Sequence, residues 1–178
     1  MTVLVLTTGG TIDSAAYPES GPPEYTIPSD ARLSIKVLRT IAADEIPPIE
    51  LDWIELCNKD SKHFNDEDQT ALYDAILHNA PHYERIIVTI GTDRMSEIAQ
   101  TLKARLQAAP ACPIVFTGAI WPLANEDKSE GPDNLRLALL KAPTASPDIY
   151  LAIHGFFEPC EKLRKDFALR KFVFISEQ

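Results

Sequence analysis

Four apolar runs in this chain each stop at a glycine with a threonine or histidine beside it, at 3–11, 86–93, 114–118 and 149–155. Short continuous apolar runs are how strands buried on both faces of a parallel sheet read, and the segments between these runs have helical patterning. In such a sheet the carboxyl ends of the strands gather along one edge, where open α/β folds bind ligands. Glycine at that edge lets the backbone turn sharply and lets a ligand approach. Thr11, Thr92 and Asp93 therefore converge from distant parts of the sequence, as two hydroxyls and a carboxylate. The fold class that follows is α/β, a mostly parallel, doubly wound sheet with helices on both faces, forming a single domain over 1–178.

The elements between the runs can be placed. A first strand covers about 2–7, and a proline- and serine-rich loop, 14–29, is long enough to act as a lid. Ser29 or Asp30 caps a helix over about 30–43, with Leu33, Val37, Leu38 and Ile41 on its apolar face. A strand at 49–56 is expected to bury Leu51, Trp53 and Leu56. Asn65 or Asp66 caps the next helix, whose face includes Leu72, Ile76 and Leu77. A strand at 85–90 leads into a helix at 94–108. A strand at 113–117 precedes a polar loop, 121–130, and Gly131-Pro132 opens another helix through Leu139. After a strand at 148–153 the tail reads as irregular, ending in the apolar run 172–175.

Seventeen basic against 26 acidic residues give a net charge of −9, which argues against nucleic-acid binding through a broad basic surface. No apolar run reaches bilayer-spanning length, and Met1 leads into the first strand with no basic leader. The expectation is a soluble cytoplasmic protein with no membrane partner. Cys57, Cys112 and Cys160 are odd in number and lack metal-type spacing, as expected of reduced thiols. His78 and His82 have a chelating spacing, but Pro81 interrupts their helix and no third ligand stands nearby.

Taken alone, Thr8-Gly9-Gly10-Thr11 fits a phosphate-cradling turn or a helix cap as well as a nucleophile, although neither common nucleotide-binding glycine pattern is present. Asp93 fits a helix N-cap as well as an ammonium ligand. The pair of segments is far more specific than either one. Together with Thr117-Gly118-Ala119-Ile120-Trp121-Pro122 and Glu130-Gly131-Pro132-Asp133-Asn134, they make the chain resemble the bacterial-type L-asparaginases and glutaminases, amidohydrolases with a threonine nucleophile.

The resemblance implies roles. Thr11 matches the nucleophile and Tyr25 the tyrosine that activates it, with Tyr17 as the alternative. Ser61 matches a ligand of the substrate α-carboxylate, and Asp93 the acid that holds the α-ammonium. Thr92 and Lys165 match the threonine and lysine of the family's Thr–Lys–Asp group. Gly10, Lys62, Gly91 and Ala119 complete the implied substrate-binding set. The implied reaction needs no cofactor or metal. It converts L-asparagine to L-aspartate and ammonia through a threonyl ester.

Three features depart from the family's pattern. Ile90 replaces a usual histidine, Arg94 a usual threonine, and Lys62 a usual glutamine that helps bind the α-amino group. The chain also looks like a short form, the catalytic domain alone, so a homo-oligomer (dimer or tetramer) is expected to cover the apolar surface left bare. Two competing readings remain: a non-catalytic small-molecule binding domain of the same fold, and an amidase for a related amino-acid amide. His154, at the end of a sheet strand, fits either a site residue or a packing residue.

Overall fold

A computed structural model describes residues 2–20 and 29–175. Within them, β1 (Thr2–Thr7), β2 (Glu50–Glu55), β3 (Arg85–Thr89), β4 (Ile114–Thr117), β5 (Ile149–Ile153) and β6 (Phe156–Pro159) form one sheet in the order β2-β1-β3-β4-β5-β6. All neighbouring pairs are parallel except β5 and β6. Two short strands, β7 (Leu163–Asp166) and β8 (Lys171–Phe174), pair antiparallel beside it.

The strand sequences explain the layering. Along β1, Leu4 and Leu6 enter one core while Val3 and Val5 enter the other, the alternation a pleated strand imposes. The first core receives Leu72 and Ile76 from α2 (Asp66–Asn79) and Ile98 and Leu102 from α3 (Met95–Arg105). The second receives Ile35, Leu38 and Ile41 from α1 (Leu33–Asp44) and Leu135 and Leu139 from α4 (Gly131–Lys141). Helices thus cover both faces, as the uninterrupted apolar runs require. Among the described residues no helix is long and apolar enough to cross a membrane.

Several boundaries differ from the sequence reading, each for a physical reason. Trp53 is 39% exposed rather than buried, because β2 is an edge strand with little packed on its faces. Leu77 is 46% exposed, one position off the buried stripe of α2. The tail is ordered: Leu163 and Phe172, both buried, seat the β7–β8 hairpin in the first core. The start of α2 follows expectation, with a reciprocal capping box between Asn65 and Asp68.

The start of α1 does not. Neither Ser29 nor Asp30 is its cap; Arg32 precedes the helix in a left-handed conformation, φ 43°. The capping oxygens come from the turn after β1, where the Asp13 carboxylate accepts from the Ser34 amide at 2.8 Å and from its hydroxyl at 2.6 Å. Burial pushes the Asp13 carboxyl above its ordinary value, against these hydrogen bonds. Asp13 ends the 3-10 turn Thr11–Asp13, so one contact fixes both the helix and the turn that bears Thr11. Losing a capping oxygen costs about 0.5–2 kcal/mol. We therefore expect Asp13→Ala to lower the denaturant-unfolding free energy by about that amount, whereas an unchanged midpoint would deny the cap its role.

Candidate active site

The order of the parallel strands reverses at β1: the chain runs from β1 outward to β2, then returns to β3 on the other side. A crevice opens at such a point, outside the carboxyl ends of the strands. The turns after β1 and β3 meet there. Gly10 has φ +83°, and a Cβ on it would lie 2.4 Å from the Gly91 amide nitrogen. A Cβ on Gly91 would lie 2.6 Å from the Ser61 hydroxyl oxygen. Three segments distant in sequence thus pack so closely that a side chain at either glycine would force them apart.

Thr11 follows Gly10 and is half-buried. Its hydroxyl lies 3.1 Å from the Tyr17 hydroxyl. Tyr17 is held in turn by Asn125, whose side-chain oxygen accepts from the Tyr17 amide at 2.7 Å and whose nitrogen donates to the Tyr17 carbonyl at 3.0 Å. The Trp121 ring flanks Tyr17 at 5.9 Å. Tyr25 lies outside the described residues.

On the β3 side, Lys165 reaches in from the hairpin. Its ammonium donates to the Thr92 hydroxyl at 2.8 Å and to Asp93 Oδ1, while Lys62 Nζ lies 3.2 Å from Asp93 Oδ2. Burial pushes the Asp93 carboxyl up, but the hydrogen bonds and charges of Lys165 and Lys62 outweigh it and hold the group below its ordinary value. The same contact with Asp93 raises Lys62. Asp93 does not cap α3. Arg94 precedes that helix without a side-chain cap, and the Asp93 carboxylate turns to the two lysines instead. The hydroxyl of Ser61 is buried and has no hydrogen-bond partner among the described residues. An unpaired buried hydroxyl costs free energy that an incoming acceptor or donor would recover.

Other residues singled out in the sequence stand elsewhere. Ala119 has its side chain in the core with Ile12 and Leu123, so a ligand would meet only its backbone. Arg94 is engaged away from the crevice, forked onto Glu97 at 2.5 and 3.1 Å and donating to the Phe64 carbonyl at 2.5 Å. Burial raises the Cys57 thiol to about 11, which leaves no thiolate for nucleophilic chemistry at neutral pH. His154 acts as a brace. Its Nδ1 accepts from the Phe172 amide at 3.2 Å, and its own amide donates to Asn134 at 2.8 Å, so it ties the hairpin to α4. Among the described residues, no group of three histidine, cysteine, aspartate or glutamate side chains is placed to hold a metal ion.

The residues that sequence reasoning missed are supports. Asn125 clamps Tyr17 across a separation of 108 positions, which leaves no local signal. Glu130 accepts from the amides of Ile120 and Trp121 at 2.5 and 3.4 Å, shaping the turn that carries Trp121. Burial pushes the Glu130 carboxyl up, but His154 and these amides hold it below its ordinary value. Its place within Glu130-Gly131-Pro132-Asp133-Asn134 was the available hint.

Comparison with known proteins bears on the family and the fold. Residues 2–169 match the family described as asparaginase, N-terminal. An L-asparaginase of Thermococcus kodakarensis is 34% identical over 152 residues, which cover 85% of this chain and 44% of that protein. The structure of the thermostable L-asparaginase from Thermococcus kodakarensis superposes with a TM-score of 0.80 at 30% identity, over 100% of this chain and 52% of that one. A probable cytoplasmic L-asparaginase from Campylobacter jejuni shares the fold, with a TM-score of 0.78 at 24% identity, over 96% and 52% of the two chains. The chain therefore spans about half the length of these relatives. By the extent of the match and the order of its motifs, it belongs to the asparaginase family and corresponds to that family's N-terminal region.

Proposed function

We propose that this protein is an amidohydrolase that converts L-asparagine to L-aspartate and ammonia. The observation that carries the reading is the pairing of two threonine hydroxyls at one crevice with different partners, Thr11 with Tyr17 and Thr92 with Lys165. Thr11 attacks the side-chain amide carbon, with Tyr17 taking part in moving its proton. The C–N bond breaks, ammonia leaves with that proton, and a threonyl ester remains. Water then cleaves the ester, oriented by the Thr92 hydroxyl that Lys165 holds. Ser61, with its unpartnered hydroxyl, binds the substrate carboxylate, and Asp93 faces the α-ammonium.

Tyr17 takes the activating role in this reading because its hydroxyl is 3.1 Å from Thr11. The same reading makes the protein a cytoplasmic homo-oligomer. Phe167, Leu169 and Phe174, between 51 and 65% exposed on or beside the hairpin, supply apolar surface for a second copy. The test is ammonia release from millimolar L-asparagine by the purified protein. Turnover supports the reading; folded protein that binds asparagine and releases no ammonia would favour a binding domain of the same fold instead.

A further inference from the structure

Both oxygens of the Asp93 carboxylate are engaged. Lys165 holds Oδ1 and Lys62 Nζ stands 3.2 Å from Oδ2. The Lys165 side chain is 11% exposed and Asp93 is 24% exposed, whereas Lys62 is 48% exposed and reaches in from the solvent side. The cluster thus holds two cations around one carboxylate.

An α-amino acid brings its own ammonium to this cluster. To reach Asp93 it must displace Lys62, or stand as a third cation beside one carboxylate, and like charges so placed repel. A substrate with a carboxylate and no ammonium meets neither obstacle. It leaves the Lys62–Asp93 pair intact, and its carboxylate finds the Lys62 cation and the adjacent Ser61 hydroxyl, which is buried and lacks a partner among the described residues. Asp60 lies next to this pair, but its Oδ1 accepts from the Lys62 amide at 3.0 Å, so it is tied to the turn.

We propose that Lys62 sets the substrate class of this site, so that it hydrolyses monoamides of dicarboxylic acids without a free α-ammonium, such as succinamate, in preference to L-asparagine. The proposal rests on the amidohydrolase reading and uses the same chemistry. Water adds across the amide, the C–N bond breaks, a C–O bond forms, and succinate and ammonium are released. Asparagine remains a poorer substrate, bound at the expense of the Lys62–Asp93 contact.

The experiment compares kcat/KM for succinamate and L-asparagine in wild type, Lys62→Gln and Lys62→Arg. A charge-assisted contact of this kind shifts selectivity by roughly tenfold. The wild type should favour succinamate by about that factor, Lys62→Arg should keep the preference, and Lys62→Gln should reverse it through a lower KM for asparagine. A wild type that favours asparagine, or a preference that Lys62→Gln leaves in place, overturns the proposal while the amidohydrolase stands. Ammonia from neither amide removes both.

Discussion

Replacing Thr11 by alanine is expected to reduce amide hydrolysis on the order of 10^4-fold or more, the scale seen when a covalent nucleophile is removed. The protein should remain folded. Thr11 is half-buried, and the substitution removes its 3.1 Å hydrogen bond to Tyr17, a contribution of about 0.5–1.5 kcal/mol. Circular dichroism and the unfolding midpoint separate loss of chemistry from loss of fold. Tyr17→Phe should cost less, roughly 10^2-fold, because it removes the proton partner and leaves the attacking oxygen. The double variant is the sharper readout. Groups that act as a unit are not additive, so Thr11→Ala with Tyr17→Phe should be no slower than Thr11→Ala alone. Independent, multiplicative losses would mean that Tyr17 acts elsewhere, and a fully active Thr11→Ala would end the nucleophile assignment.

The parts of this site that were legible in the sequence are those whose signal is local. β1, β3, β4 and β5 read clearly because both faces of each are buried, so nearly every residue is apolar. The turns that follow β1 and β3 carry glycines because Gly10 and Gly91 touch, and that contact leaves its mark at both positions. β2 was visible as a strand, but its buried side was not, since an edge strand takes its burial from what happens to pack on it. The hairpin was invisible. Leu163-Arg164-Lys165-Asp166 contains one apolar residue in its four positions, and β8, its partner, is tied to the sheet by a distant contact, that of Phe172 with His154. Asn125 and Asp13 went unread for a related reason. Each acts on a backbone far along the chain, and nothing in the neighbouring sequence distinguishes a side chain that does so from one that meets solvent.

Lys165 links the site to stability, so its removal should register in two independent measurements. Lys165→Met withdraws the donor that holds the Thr92 hydroxyl at 2.8 Å, and ammonia release should fall by about 10^2- to 10^4-fold, the range for a missing proton-transfer group. It also leaves Asp93 with Lys62 as its remaining cation among the partners that hold it down. Breaking a fully buried pair costs about 3–5 kcal/mol. Discounted for the 24% exposure of Asp93 and for Lys62, which stays beside it, the expected destabilisation is about 1–2 kcal/mol at neutral pH. The pH dependence follows from the direction of the shift. In wild type the Asp93 carboxyl sits below its ordinary 3.8, so its contribution is present above that pH and is lost as pH falls through the folded value. In the variant, burial is opposed less strongly and the carboxyl rises, which removes that contribution or reverses it. The stability gap between wild type and Lys165→Met should therefore be widest near pH 7 and should narrow as the pH falls below 3.8. Denaturant unfolding at several pH values measures it. A gap that stays constant with pH would place the missing stability in packing of the lysine stem rather than in its charge, and Asp93 would not be the partner that matters.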